Sequence, residues 1–320
     1  MTPVFADPGH AGLPALGFLG PGAMGKGMIA RLVESGCPVN VYARDVAKAE
    51  KLLPAGASIS SDPARVVEQS DIVLGCLLDS AVIGELYLGA AGIVETARPG
   101  QVFVEHATFD PGLSLRISKA LAGRGAAYLE APVSGGPEGA RRGSLVTMVG
   151  GDAGVLERAR PVLERYCSTI KHAGDVGAGL RLKLINQLLV SVHAVAAAEA
   201  SALVLRLGID PATAHGALMG GWAASTMLDK NLPAACASDF SSDGAAVSGL
   251  VEVQRLVAAM LEDQGVPSAL LAPVREVFAD AVDKGLGNGS LAGLVAHYLP
   301  PGSSEGSTRE TVGPGGKDAK

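Results

Sequence analysis

The 320-residue sequence predicts an α/β domain built on a parallel sheet, followed by an all-α domain, with one long helix joining them. Three observations lead there. Up to about residue 150, short β-branched runs alternate with helical patterns, and turn residues close each run. After residue 176 the strand patterns stop and the chain turns rich in Ala and Leu at helical spacing. Between the halves, Ala178 to Leu207 holds roughly eight turns of helix, about 45 Å at 1.5 Å per residue.

Taken in order, residues 1–13 carry no Lys or Arg ahead of an apolar core, so a secretory signal is not expected and the segment is read as a flexible tail. Residues 14–176 form the first domain. Its strands are expected at Ala15 to Leu19, Val39 to Tyr42, Ile72 to Cys76, Val102 to Glu105 and Ala127 to Leu129. Ser144 to Val149 reads as one more, before a helix starting near Gly154. Residues 177–299 form the helical domain, with turns at Gly208-Ile-Asp-Pro211, Gly220-Gly221, Asn231-Leu-Pro233 and Gly265-Val-Pro267. The long helix is apolar almost all round, which calls for sheathing by other helices or by a second subunit. Its most apolar stretch, Leu184 to Leu205, is interrupted by Asn186, Gln187, His193 and Glu199, whose burial in lipid would be costly, so a buried helix is expected rather than a membrane span. Residues 300–320, rich in Gly, Pro, Ser and charge, have no apolar period and are expected to be disordered.

Composition narrows the function. With 48% hydrophobic residues, 18% charged and a net charge of -6, the chain has enough apolar matter for globular domains and no basic run. That argues against nucleic acid or an anionic membrane surface and points to small-molecule partners. The four cysteines, Cys37, Cys76, Cys167 and Cys236, stand far apart without a CxxC pair, so neither a zinc site nor a disulfide framework is indicated. Reduced, mostly buried thiols and a cytoplasmic location are expected, and no metal.

The first strand runs into Gly20-Pro21-Gly22-Ala23-Met24-Gly25, which opens a helix (Lys26 to Ser35), and a second strand follows. This is the setting of a Rossmann-type dinucleotide site: Gly20 for the tight turn, Gly22 for close approach of the pyrophosphate, Gly25 for packing of helix on sheet. The helix N-terminus, with Ala23 and Met24, faces the phosphates. Leu77, after the Ile72 to Cys76 run, joins the cofactor-binding set. At the end of the second strand, Ala43-Arg44-Asp45 puts an arginine where an acidic residue usually meets the adenosine ribose. Arg44 suits a 2′-phosphate and favours NADP(H), while Asp45 turned toward the ribose would admit NAD(H).

Three further segments carry chemistry: His106-Ala107-Thr108, Glu130-Ala-Pro-Val-Ser134-Gly135-Gly136-Pro-Glu-Gly139, and Gly177-Ala-Gly179-Leu-Arg-Leu-Lys183-Leu-Ile-Asn186-Gln187. Ser134, Gly135 and Gly136 follow a strand and offer a hydroxyl and free N–H groups, a nest for a carboxylate; a flexible glycine turn is the alternative. Lys183 sits among Leu182, Leu184 and Ile185, where a lysine either snorkels to solvent or is poised with a lowered pKa. Asn186 and Gln187, three and four residues on, share its face.

With the opening Gly17-Phe-Leu-Gly-Pro-Gly-Ala-Met-Gly-Lys26, these segments resemble the β-hydroxyacid dehydrogenase family, from about residue 15 to 299 with order and spacing intact. That family includes 3-hydroxyisobutyrate dehydrogenase, tartronate semialdehyde reductase and L-threonate dehydrogenase. The resemblance implies an NAD(P)-dependent oxidoreductase, interconverting a small 3-hydroxy acid and its semialdehyde. It implies a substrate carboxylate on Ser134, Gly135 and Gly136, Asn186 orienting the reacting oxygen, and Lys183 as general acid/base. Gln187 joins the substrate-binding set, and Thr108 corresponds to the second member of a Ser-Thr pair at the nicotinamide. The chain departs from the pattern in three places: Ala107 replaces the serine, Glu130 stands where Asp is usual, and Glu252-Val253 replaces a Lys-Asp pair whose lysine lies near the cofactor. Glu252 is therefore placed at the cofactor cleft with its charge reversed. The Asn-Gln pair looks most like the sugar-acid and tartronate-type branch. An imine reductase-like enzyme and a catalytically silent nucleotide-binding scaffold are the competing readings. A homodimer or homotetramer is expected from the apolar surface of the long helix. His193 is read as a core histidine, and Trp222 as either a helix-junction anchor or a pocket residue.

Overall fold

The computed structural model describes residues 14–241 and 246–299. The expected tails, 1–13 and 300–320, lie outside the described residues. The first half holds nine strands in one sheet: β1 (Leu16–Leu19), β2 (Val39–Tyr42), β3 (Ala57–Ser60), β4 (Ile72–Gly75), β5 (Val102–Glu105), β6 (Ala127–Glu130), β7 (Val133–Ser134), β8 (Leu145–Gly151) and β9 (Cys167–Gly174). The order β3-β2-β1-β4-β5-β6 is parallel throughout, with β8 antiparallel to β6 and β7 and parallel to β9. Strand order reverses between β1 and β4, the point at which such sheets bind ligands beyond the carboxyl ends of their strands.

Every residue of β1, β4 and β5 is buried, because helices cover both faces. On one face, Met28, Ile29 and Leu32 of α1 (Ala23–Glu34) pack with Leu156 and Leu163 of the helix Ala153–Leu163. On the other, Ile83 and Tyr87 of the helix Ser80–Leu88 pack with Leu113, Ile117 and Leu121 of the helix Pro111–Gly123. In chain order the remaining helices of this half are Val46–Leu52, Pro63–Glu68 and Gly136–Arg142, so that α2 is Val46–Leu52, α3 Pro63–Glu68, α4 Ser80–Leu88, α5 Pro111–Gly123, α6 Gly136–Arg142 and α7 Ala153–Leu163. Strands β3, β7 and β9 go beyond those expected from the pattern. β3 reads Ala-Ser-Ile-Ser at the sheet edge, β7 has only two residues, and β9 carries Lys171 and His172 exposed, so none shows an apolar run.

The second half is helical: α8 (Ala178–Leu207), α9 (Pro211–Met219), α10 (Thr226–Cys236), α11 (Val247–Asp263) and α12 (Leu271–Asp283), closed by a 3-10 segment, Leu291–His297. Helix α8 is long and apolar enough to cross a membrane by length and composition. Its residues instead join four separate apolar clusters: Leu184 beside α11, Ala194 and Ala198 beside α12, Ala197 and Val204 beside α10, and Ala202 beside the 3-10 segment. The expected sheathing of α8 is incomplete. Leu182, Ile185, Leu189, Leu203 and Leu207 are all at least 40% exposed in the single chain, because neighbours cover only part of its circumference. The turn expected at Asn231-Leu-Pro233 is absent: α10 runs through it to Cys236, since Pro233 sits in the last turn and forfeits only the bond to Asp229.

Candidate active site

Aspartate side chains cap α2, α3, α4, α5, α7 and α9, each accepting from a first-turn N–H. Helix α1 differs. Its N-cap is Gly22, no side chain caps it, and its first turn carries no acidic residue. A Cβ on Gly22 would meet nothing within 4 Å, so the space in front of this end is open. The flanking glycines are sterically required: Gly20 has φ +96° and a Cβ there would lie 2.5 Å from the Cys76 carbonyl, while one on Gly25 would lie 2.3 Å from the Gly20 carbonyl. An uncapped helix end with open space before it fits the pyrophosphate of a dinucleotide. Ala23 is exposed and Met24 half-buried at the same turn.

At the end of β2, Arg44 and Asp45 are both exposed. Asp45 is committed to α2, accepting from the Lys48 N–H at 2.9 Å. Asp45 is therefore turned to its own helix, and Arg44 is the exposed cation at the strand end.

The loops after β4 and β5 bring Leu77 and Thr108, both half-buried, to this edge of the sheet. A Cβ on Gly20 would touch the Leu77 side chain at 3.0 Å, so Leu77 flanks the glycine turn. Fully buried Glu105 accepts from the Tyr87 hydroxyl at 3.2 Å and the Ala107 N–H at 3.1 Å, and the Leu77 N–H also bonds to it. Burial pushes its carboxyl up to about 7, against the lowering effect of those donors. The room it occupies exists because residue 75 is glycine: a Cβ there would fall 1.9 Å from Glu105 Oε2. His106 is equally buried. Its Nδ1 donates to the Ala131 carbonyl at 2.8 Å, so Nε2 accepts from the Tyr166 hydroxyl at 3.0 Å, and burial lowers its pKa to about 4.

Ser134 closes β7, half-buried, and pairs in register with Val146 of β8. Gly135 (φ +133°) and Gly136 (φ +69°) follow in conformations that favour glycine and lead into α6. A Cβ on Gly27 would lie 2.8 Å from Ala140 Cβ, so α1 and α6 lie against each other and the glycine turn and the nest open side by side.

Lys183 lies in the second turn of α8, only 5% exposed. Burial lowers its pKa to about 8. Its Nζ donates to Asn186 Oδ1 at 3.3 Å, and half-buried Gln187 follows on the helix. The first turn of α8 is seated on β8, where a Cβ on Gly179 would lie 2.3 Å from the Met148 carbonyl. The nest and the lysine are thus built on neighbouring stretches of β8.

Glu252 of α11 faces an open cleft of about 600 Å³ between the halves, with Asp79, Asp110, Arg116 and Arg255 also lining it. Arg255 neutralises Glu252 at 2.6 Å, holding its carboxyl below the ordinary range. Asp79 and Asp110 lie two residues beyond Leu77 and Thr108, so Glu252 stands at the rim of the same edge. His193 is exposed, not a core residue, because it falls on the uncovered side of α8. Trp222 anchors no junction in the single chain and is fully exposed. Cys37 and Cys167 are buried, Cys76 and Cys236 half-buried, and all four are free. Among the described residues no group of three His, Cys, Asp or Glu comes together to hold a metal.

Residues 15–174 match the family model of the NAD binding domain of 6-phosphogluconate dehydrogenase, and residues 177–298 that of the NAD-binding region of NADP-dependent 3-hydroxyisobutyrate dehydrogenase. The chain is 36% identical over 200 residues to 2-(hydroxymethyl)glutarate dehydrogenase of Eubacterium barkeri, covering 62% of this chain and 66% of that one. Its fold is similar to that of 3-hydroxyisobutyrate dehydrogenase from Salmonella typhimurium (TM-score 0.80, 25% identity, 88% and 98% of the chains). It is similar also to Psf3 in complex with NADP+ and 2-OPP (TM-score 0.83, 25% identity, 89% and 100%). The chain belongs to the β-hydroxyacid dehydrogenase family, as an NAD(P)-dependent oxidoreductase of the 3-hydroxyisobutyrate dehydrogenase type.

Proposed function

We propose that this enzyme interconverts a small 3-hydroxy acid and its semialdehyde, with Lys183 as general acid and base. One observation carries the reading: a lysine almost wholly withdrawn from water, with its pKa brought down to about 8 and an amide oxygen 3.3 Å away. A pKa near neutrality lets one amine both give and take a proton. In reduction the Lys183 ammonium donates to the carbonyl oxygen as it becomes an alkoxide; in oxidation the neutral amine takes the hydroxyl proton. Asn186 holds the ammonium and orients the reacting oxygen, and Gln187 adds a second amide. The Ser134 hydroxyl and the N–H groups of Gly135 and Gly136 take the substrate carboxylate, as consecutive glycines with positive φ permit.

Gly20, Gly22, Ala23, Met24 and Gly25 would hold the cofactor pyrophosphate, with Leu77 and Thr108 beside it and Glu252 at the rim. When bound, the nicotinamide ring supplies or accepts the hydride. NADP(H) is the preferred form in this reading, because Asp45 caps α2 and Arg44 is an exposed cation where a 2′-phosphate would lie. The exposed apolar residues of α8 and Trp222 support assembly into a homodimer or homotetramer, which light scattering on the purified chain tests.

The test is absorbance at 340 nm with NADPH or NADH against glyoxylate and succinic, methylmalonic and tartronic semialdehydes. The reverse panel uses threonate, glycerate and 3-hydroxyisobutyrate, each beside Lys183→Ala. Turnover that Lys183→Ala abolishes is expected. Full activity in that variant, or cofactor binding with no turnover of any hydroxy acid, overturns the reading.

A further inference from the structure

Among the helices that open on the sheet edge, α8 is exceptional in having a long-range cap. Its own N-cap is Gly177, with no side-chain bond. Glu130, at the end of β6 and with no solvent exposure, lies across that end. Its Oε1 accepts from the Gly177 N–H at 2.8 Å and the Leu180 N–H at 3.0 Å, and the Gly179 N–H also bonds to the carboxylate. Its Oε2 accepts from the Ser114 hydroxyl of α5 at 2.6 Å. The seat is tight on every side: a Cβ on Gly150 would fall 2.5 Å from Glu130 Oε1, and one on Gly179 would strike the Met148 carbonyl.

We propose that Glu130 is a positioning residue, whose carboxylate fixes the first turn of α8 and thereby sets where the Lys183 amine stands relative to the Ser134-Gly135-Gly136 nest. Lys183 follows Leu180 by three residues, one turn of a rigid helix, and Ser134 follows Glu130 by four. One side chain therefore ties together the strand that leads into the nest, the helix that carries the lysine, and α5. The carboxylate satisfies N–H groups that a helix start leaves unpaired and complements the positive end of its dipole. The inference rests on the proposed role of Lys183 for its catalytic meaning, while the placement itself is measurable without substrate.

The lysines of wild type, Glu130→Met and Glu130→Gln are dimethylated with 13C-formaldehyde, and the Lys183 signal, assigned by its loss in Lys183→Arg, is titrated by NMR. Met fills the same space with no acceptor; Gln keeps an oxygen for the N–H groups. In Glu130→Met the first turn loosens, water reaches the amine, and its pKa rises by one unit or more, while Glu130→Gln stays with wild type. Wild-type titration of Lys183 in Glu130→Met overturns the inference, and Glu130→Ala is read in the same way should the larger side chain not fold. Turnover provides the second measure. Glu130→Met should lower kcat at least 30-fold with the NADPH Kd changed less than 2-fold, whereas Leu232→Ala, in the helical core, lowers the melting temperature and spares kcat. If Lys183→Ala is inactive and Glu130→Met keeps full kcat, the positioning role falls alone. If Lys183→Ala keeps full turnover, the proton-donor reading falls, and the NMR titration still decides whether Glu130 places the amine.

Discussion

Lys183 Nζ stands 3.3 Å from Asn186 Oδ1, an ammonium and an amide one helical turn apart on α8, with the ammonium almost wholly buried. Desolvation lowers the lysine pKa to about 8, so with Lys183 as the proposed general acid and base the two directions of the reaction should depend on pH in opposite senses. Oxidation needs the neutral amine and should rise with pH to a plateau above about 8. Reduction needs the ammonium and should decline across the same range. Lys183→Ala should lower kcat by roughly 10²- to 10⁴-fold in both directions and flatten these limbs. Initial rates across pH 6 to 10, at roughly unit spacing, check this, and a profile unaltered by the substitution refutes it.

Cofactor choice is expected to turn on Arg44. Replacing it with Ser removes the charge exposed at the end of β2 and leaves the Asp45 cap on α2 intact. The NADPH Kd should weaken by about 10- to 100-fold, the worth of one or two charge-assisted hydrogen bonds, with NADH little changed. Fluorescence titration with both coenzymes reads the difference. Equal weakening of both would show that Arg44 serves the adenine or the loop instead.

His106 should make the protein acid-sensitive. Its folded pKa is lowered to about 4 from 6.5, so the native state binds fewer protons than the unfolded chain between these values. Stability from this group is complete above 6.5 and is lost as pH falls toward 4, a change of about 3 kcal/mol over the full window. Relative to His106→Gln, the wild type should lose most of that difference between pH 7 and pH 4.5, by roughly 2 kcal/mol in urea melts. A pH-independent difference between the two proteins would mean that the ring is not held neutral.

Gly27 is expected to be intolerant of any side chain. Its Cβ would lie 2.8 Å from Ala140 Cβ and 2.9 Å from the Arg141 nitrogen, so Gly27→Val must part α1 from α6. Overpacking of this kind costs about 1–3 kcal/mol. Because α1 opens on the glycine turn and α6 on the nest, cofactor affinity and substrate KM should both suffer, along with a lower melting temperature. Wild-type values for both constants in a destabilised protein would separate packing from the site.

The parallel sheet, the glycine turn and the limits of α8 were legible because each leaves a local mark: β-branched runs, fixed glycine spacing, and a long, mainly apolar helical stretch between Gly177 and Gly208. What escaped was decided by partners distant in sequence. Glu130 reads as a conservative variation until the Gly177 and Leu180 N–H groups are seen to converge on it, and Glu105 reads as the end of a strand. Gly27 carries no signal because its reason is Ala140, more than a hundred residues away. Pro233 misled as a turn marker, since a proline in a last turn breaks little. His193 was misplaced because hydropathy cannot tell which side of an apolar helix its neighbours leave open.

The close seat of Gly179 on β8 makes α8 a lever with its pivot at one end. Lys183 lies roughly 6 Å along the helix from that pivot and Leu207 roughly 42 Å, at 1.5 Å per residue. A tilt that carries the far end several ångströms would move the lysine backbone by only about one. Helices α9 to α12 grip the long arm, so changes among them can shift its far end in coarse steps while Lys183 is adjusted in fine ones. The two ends of α8 are thereby geared at different ratios on a single rod.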